Sequence, residues 1–503
     1  MPQTVDRWTT TLRSAWQRGA LWPWCLAAIA AFCAYAVTVV FHPGYLSVDS
    51  LEQLGQALGD QPVNDWHPPV MALLWRILIH TTGAVSAMAA LQAVVLWGTL
   101  WVLARLVWKN TGSRWLSLAM LAVGLAPHVM NFTGVVWKDV HMAYALLAAF
   151  AVVLTARELP AGRTRTRWAL LILGVLFLAY ALLVRKNGFV AVIPVFIMLV
   201  LAIWPSSGRR RWLIATSALV AVTAVASAAV SSTTHPVATR QYAQIPLDDI
   251  VHVLTPAQVG AAADKAGASA DFRNRLVAAA TTCQSERIPA DAYFQCYPRN
   301  KSLGVKELRG NTDVLLRMWT QEMPKHLRGY TVYRVRVFSK LLFQGNQAFQ
   351  NGSDIDPHAP QPPALASAPV NETLKESLQG YVTGFARDLP MIFQGWFWLV
   401  VGLVLTLRRW SSRYARELRL LGASSVLYVL AYLPTAPQSN FRYVYWPALA
   451  GTVAVLLLLA EYVARRRATA SGGAPVDVDP GDHAGGGSGA TPGDVRPVAT
   501  SGA

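Results

Sequence analysis

Trp22-Pro-Trp-Cys-Leu-Ala-Ala-Ile-Ala-Ala-Phe-Cys-Ala-Tyr-Ala-Val-Thr-Val-Val-Phe41 carries no charged side chain from end to end. Crossing the hydrocarbon core of a bilayer takes about 20 such residues at 1.5 Å rise each. A cleaved secretory signal has a shorter core of about 7–15 residues followed by small residues. This run is longer and leads into His42-Pro43, so it reads as a retained transmembrane helix. Working outward, comparable runs occupy 85–107, 114–131, 139–156, 168–184, 188–204, 211–231, 391–407, 418–434 and 443–463, about ten spans in all. The expected fold is an all-α polytopic membrane protein. Its composition agrees: 53% of residues are hydrophobic and 14% charged, against about 25% charged in soluble domains.

A formal net charge of +17 is one signature of nucleic-acid binding, but the placement of the charges excludes it here. Arg7, Arg13 and Arg18 precede the first span; Arg105, Lys109 and Arg114 follow the second. Arg157, Arg163, Arg165 and Arg167 follow the fourth, and Arg209 to Arg211 the sixth. Arg408, Arg409, Arg413, Arg416 and Arg419 follow the eighth, and Arg465 to Arg467 the tenth. With a cytoplasmic N-terminus every cluster falls inside, which is the positive-inside pattern. Val70 to Ile79 tests this count. It is apolar but only about ten residues long and contains Arg76, and runs of 10–14 are more often interfacial. It is expected to lie flat on the outer leaflet.

The topology divides the chain into helices one to seven over 1–231, an extracytoplasmic domain over 232–390 between spans seven and eight, spans eight to ten over 391–467, and a tail over 468–503. The Gly-, Ala-, Pro- and Asp-rich tail cannot bury a core and is expected to be disordered and cytoplasmic, and Asp354 to Val370 reads as a loop. Cys283 and Cys296 are the two cysteines of the outer segment. The alternatives for them are a disulfide, worth about 3 kcal/mol in the chain-entropy model, and two free thiols. Cys25 and Cys33 lie in the first span as lipid-facing or packing residues. No Cys/His array has zinc spacing, and no Walker or dinucleotide glycine motif occurs, which argues against a nucleotide-driven pump. Asn131-Phe-Thr spells a glycosylation sequon without further support.

The first outer segment, 42–83, is where polar residues concentrate. Val48, Leu51, Leu54 and Leu58 recur at helical spacing, an apolar stripe suited to a membrane surface, while Asp49, Glu52, Gln53 and Gln56 share another face. Asp49-Ser-Leu-Glu52 also fits a capping box, so capping is a sufficient structural explanation for Asp49 on its own. Pro68 and Pro69 after His67 suit the first turn of a helix.

Taken together, Asp49 just past the first span and the run Asp65-Trp66-His67-Pro68-Pro69 resemble the protein O-mannosyltransferases and the wider GT-C superfamily of polyprenyl-phosphate-sugar-dependent glycosyltransferases. The resemblance covers roughly the first 80 residues; beyond them the topology and a large outer loop agree. It implies a GT-C-like fold with Asp49 in the place of the family's catalytic acid-base residue. This chain has Asp49-Ser50 where the mannosyltransferases have Asp-Glu, and Val70-Met71-Ala72 where they have Leu-Gly-Lys, so their particular donor and acceptor are not carried over.

Three further outer sites break the positive-inside pattern: Lys138-Asp139, Arg185-Lys186-Asn187 and Arg442-Tyr443. Each taken alone is explained by lipid headgroups; collectively they suit a phosphate. The expected reaction is transfer of a sugar from a polyprenyl phosphate donor to a glycan, lipid or protein acceptor of the cell envelope. Cations on the leaving phosphate would stabilise its developing charge, and Asp49 would take the acceptor proton as general base, with Asp139 in reserve and inversion at the anomeric carbon. Glu52, Asp65, His67, Lys138, Arg185, Lys186, Asn187, Arg442 and Tyr443 form the expected binding set, with His67 positioning Asp49 or the donor. No cofactor is required, although some related enzymes are helped by a divalent cation, for which Asp49, Glu52 and Asp139 carry oxygen ligands. The rivals are a transporter, disfavoured by span interiors nearly free of charge, a lipid-binding scaffold that would not need Asp49, and a lipid-linked polymer ligase or phosphotransferase.

Overall fold

The computed structural model describes residues 19–160, 162–204, 208–297, 303–344 and 372–470. Arg7, Arg13, Arg18, the Asp354–Val370 segment and the tail beyond Ala470 lie outside them. Among the described residues the chain is helical with no strand, and two isolated β-bridges, Tyr45 with Val135 and Asn64 with Val237, join loops.

Among the described residues seven helices are long and apolar enough to cross a membrane: Trp22–Val40, Ala87–Thr111, Lys138–Arg157, Thr164–Val184, Lys186–Ile203, Arg209–Thr234 and Phe441–Arg467. The third expected span is broken into Arg114–Leu125 and Pro127–Thr133, bent by 49°, because Pro127 lacks the amide that would continue the ladder. Counted as one span it makes eight, short of the ten expected. Gly395–Leu407 and Ala415–Leu430 have 13 and 16 residues, about 20 and 24 Å of rise, less than the roughly 30 Å core.

The Lys138–Arg157 helix is the axis of the bundle, 94% of its apolar window being enclosed by protein. That is why it is apolar all round. Arg209–Thr234 is the opposite case, with 6% enclosed, and presents its sides to lipid. At the far end of the central helix the basic clusters meet: Lys109 bonds Glu158 at 3.2 Å, Arg413 bonds Glu158 at 2.7 Å, and Arg157 pairs with Glu417. The ends of spans two and four and the start of the Ala415–Leu430 helix therefore share one side, as the charge pattern requires. Lys138 begins the central helix about 30 Å away at the other end.

One feature of the first outer segment differs from expectation. Val48–Leu58 is a helix, but it packs into protein rather than floating on its apolar stripe. Gln53 and Gln56 are buried, Val48 is exposed, and Ser50 Oγ donates to the Val136 carbonyl at 2.8 Å. Hydrogen bonds inside the protein outweigh the stripe. Pro69–Thr82 forms a 14-residue helix too short to span, and Arg76 donates to the Gln56 and Ala57 carbonyls at 2.8 and 3.1 Å. Arg76 thus satisfies the orphan acceptors at the end of the preceding helix.

The outer segment has its own core, with Leu247, Ile250, Phe272, Leu276, Leu315 and Met318 fully buried together with Trp66 of the first outer segment. Cys283 and Cys296 are disulfide-bonded with a Cα–Cα distance of 5.0 Å.

Candidate active site

The N-cap of the Val48–Leu58 helix is Ser47, whose hydroxyl accepts from the Ser50 amide and from Trp137 Nε1 at 2.6 Å. Capping therefore does not explain Asp49. Its carboxylate Oδ2 instead accepts from Arg442 Nη1 at 2.9 Å, across 393 positions of sequence. Arg442 is fixed in turn: Asn440 caps its turn by accepting from the Arg442 amide at 3.0 Å, Nη2 donates to the Tyr443 hydroxyl at 3.1 Å, and the guanidinium lies 5.0 Å from the Trp137 ring.

A second pair stands beside the first. Arg185 ends the Thr164–Val184 helix and meets Asp139, in the first turn of the central helix, through both guanidinium nitrogens at 3.1 and 3.2 Å. Both are buried, at 8% and 1% exposure. Its Nη2 also donates to Tyr432 at 2.8 Å, and its guanidinium lies 5.4 Å from the Tyr443 ring, which stacks on Tyr432 at 5.0 Å. Tyr443 therefore sits between two arginines. Asp139 does not line the cavity described below; its place is behind Arg185, not beside Lys138 as a local ion pair. Lys138 does line it, and its ammonium makes no hydrogen bond or close ion pair among the described residues.

The Asn64–Pro69 element braces these groups. Glu52 accepts from Asn64 Nδ2 at 2.9 Å and meets His67 Nε2 at 3.3 Å, so Glu52 holds the loop and stands behind the cavity wall. His67 is buried and leaves Nδ1 without a partner among the described residues. Asp65 accepts from the Thr239 amide at 2.6 Å and lies 3.9 Å from Lys186. It ties the first outer segment to the start of the outer domain. Asp49, Glu52 and Asp139, the carboxylates suited to a divalent cation, are each engaged with a different partner.

Asp49, Asp65, His67, Lys138, Arg185, Lys186, Asn187, Arg442 and Tyr443 all line one cavity of about 490 Å³. Its floor is cationic. Burial alone raises a carboxyl, but the charges of Arg442, Lys138 and His67 outweigh it and hold Asp49 well below the usual carboxylate range. The outer domain supplies residues that sequence reading missed: Tyr242, Asp248, Asp291, Phe294 and Arg334. Burial and the neighbouring Asp248 carboxylate push Asp291 up to about 7. Arg334 is buried, paired to Asp249 at 2.7 Å, and donates to the Ala436 carbonyl at 3.1 Å, which ties the outer domain to the loop before the last helix. Tyr333-Arg334 has no local signal that separates it from a surface pair; its role comes from tertiary placement.

A second cavity of about 280 Å³ lies among the apolar helices, lined by Leu74, Val95, Leu173, Leu176, Phe177 and Tyr180 among others. His141 also lines it, one helical turn below Lys138. The central helix and the Thr164–Val184 helix thus border both spaces.

No family model and no curated protein sequence matches the chain. A solved structure similar to it is the archaeal oligosaccharyltransferase AglB from Archaeoglobus fulgidus, in complex with an inhibitory peptide and a dolichol-phosphate. Identity is 11% over 90% of this chain and 52% of that one, with a TM-score of 0.38. The chain spans about half the length of that structure. At that distance the function rests on this chain's own residues.

Proposed function

We propose that the protein is a GT-C-like membrane glycosyltransferase that moves a sugar from a polyprenyl phosphate to a cell-envelope acceptor on the extracytoplasmic face. One observation carries the reading: Asp49, Lys138, Arg185 and Arg442, from four separate stretches of chain, meet at one cavity at the end of the bundle opposite the basic clusters. A transporter would place such groups at mid-bilayer.

In this reading the isoprenoid lies along the apolar cavity beside Leu74, Leu173 and Phe177, and its phosphate sits over Lys138, Arg185 and Arg442. The acceptor oxygen attacks the anomeric carbon, the carbon–oxygen bond to phosphate breaks, and the electron pair leaves with the phosphate. The acceptor proton passes to Asp49, and the anomeric centre inverts. The fixed cations stabilise charge growing on the phosphate without reorganising. Arg442 serves both groups. A phosphate drawn onto its guanidinium offsets positive charge that otherwise depresses Asp49, so donor binding raises the proton affinity of the base.

The test is turnover by the full chain in lipid nanodiscs supplied with polyprenyl-phosphate-linked sugars and envelope extract, reading release of polyprenyl phosphate. Release supports the transferase. Saturable polyprenyl phosphate binding with no release from any donor would leave a lipid-binding scaffold instead.

A further inference from the structure

The cavity wall supplied by the outer domain differs chemically from the cationic floor. Tyr242 and Phe294 line the cavity, yet each is 56% exposed. Large aromatic faces are usually covered, because leaving them in water forfeits hydrophobic stabilisation. Phe294 is nevertheless held firmly. It stands edge-on to Tyr293 at 4.6 Å and to Trp66 at 6.3 Å, and those two rings are buried against each other at 5.1 Å. A buried pedestal thus holds an open ring at the cavity.

Asp291 lines the same wall with φ of 67°, a left-handed conformation uncommon outside glycine, though aspartate tolerates it better than most residues. Here the Ala292 amide donates to Asp248 Oδ1 at 2.9 Å, the Phe294 and Gln295 amides donate to the Asp291 carbonyl at 3.1 and 3.0 Å, and the Cys283–Cys296 disulfide closes the segment. The backbone that carries the Asp291 carboxyl is therefore fixed three residues before the open ring, and both side chains line the cavity.

Open aromatic faces on the same wall as a carboxylate suit a ligand with apolar faces and a rim of hydroxyls. A sugar ring has that form: its C–H faces cover the aromatic surface and its hydroxyls donate to the carboxylate. A phosphate-bearing lipid acceptor would meet the Asp248 carboxylate with like charge. Building on the transferase reading, we propose that Tyr242, Phe294 and Asp291 form the acceptor subsite and that the acceptor is a saccharide.

The experiment is saturation-transfer NMR on the full chain in nanodiscs with maltotriose, mannotriose and arabinotriose as probes. At least one should bind saturably. Phe294→Ala and Tyr242→Ala should each weaken it about tenfold, Asp291→Asn should weaken it as well, and Phe294→Trp should retain it. Tyr242 and Phe294 are exposed, so the truncations should melt with the wild type, and a thermal scan verifies this. No saturable signal up to about 10 mM, or equal binding by wild type and both truncations, overturns the subsite. Binding is read without turnover: trisaccharide binding in a protein that releases no polyprenyl phosphate keeps the saccharide site and removes the transferase.

Discussion

Arg442 Nη1 lies 2.9 Å from Asp49 Oδ2, joining the first outer helix to the start of the last span. The contact binds the proposed base to one of the proposed phosphate ligands, so the two functions are coupled rather than adjacent. Ser47 caps the helix, which leaves this pairing as the structural engagement of Asp49.

The pair fixes a pH dependence. The folded Asp49 carboxyl is held below its usual 3.8, so its stabilising contribution is full above that value and is lost as pH falls below it. The melting difference between wild type and Asp49→Asn should persist from pH 7 to 5 and shrink progressively as the pH falls below about 4. Turnover should show no loss from Asp49 protonation between pH 8 and 5, as a pH–rate profile will reveal.

Asp139 is a positioning residue for Arg185. Breaking a buried pair leaves an uncompensated charge at a cost of about 3–5 kcal/mol, so Asp139→Asn should lower thermal stability sharply. In the protein that remains folded, the donor KM should rise more than kcat falls. A kcat collapse at unchanged KM would move the base from Asp49 to Asp139.

Lys138 faces the cavity without a close partner among the described residues. Lys138→Met should leave stability unchanged or higher and cut turnover about 10²–10³-fold, with weakened polyprenyl phosphate binding by microscale thermophoresis. Unaltered binding and rate would remove it from the phosphate site.

Much of the candidate site was legible because Lys138, Arg185 and Arg442 stand apart from the arginine clusters in the expected topology, and the cavity gathers them. Asp49 and His67 came from a spacing pattern. Partnerships were not legible. Asp139 beside Lys138 reads as a neighbour pair, yet the helix turns it to Arg185. Glu52 sits on the expected face of its helix but is consumed by Asn64 and His67. Asp291 and Phe294 lie in a short segment with no recognisable motif, and the disulfide, the Asp248 bond and the Trp66 contact hold it at the cavity. Ten spans were expected and seven or eight helices are long enough, because hydropathy does not register where Gly395–Leu407 and Ala415–Leu430 stop short.

Reduction of Cys283–Cys296 should destabilise the outer domain by about 2–4 kcal/mol. A thermal shift with and without reductant reads this, and a Cys283→Ala/Cys296→Ala variant should match the reduced protein.

The most direct measurement compares wild type and Asp49→Asn for polyprenyl phosphate release in nanodiscs, with melting recorded on the same samples. Loss of the partly exposed pair should cost no more than about 1 kcal/mol, and kcat should fall about 10²–10⁴-fold with donor KM within about threefold. A folded Asp49→Asn protein that turns over at the wild-type rate would show that the acceptor proton goes elsewhere.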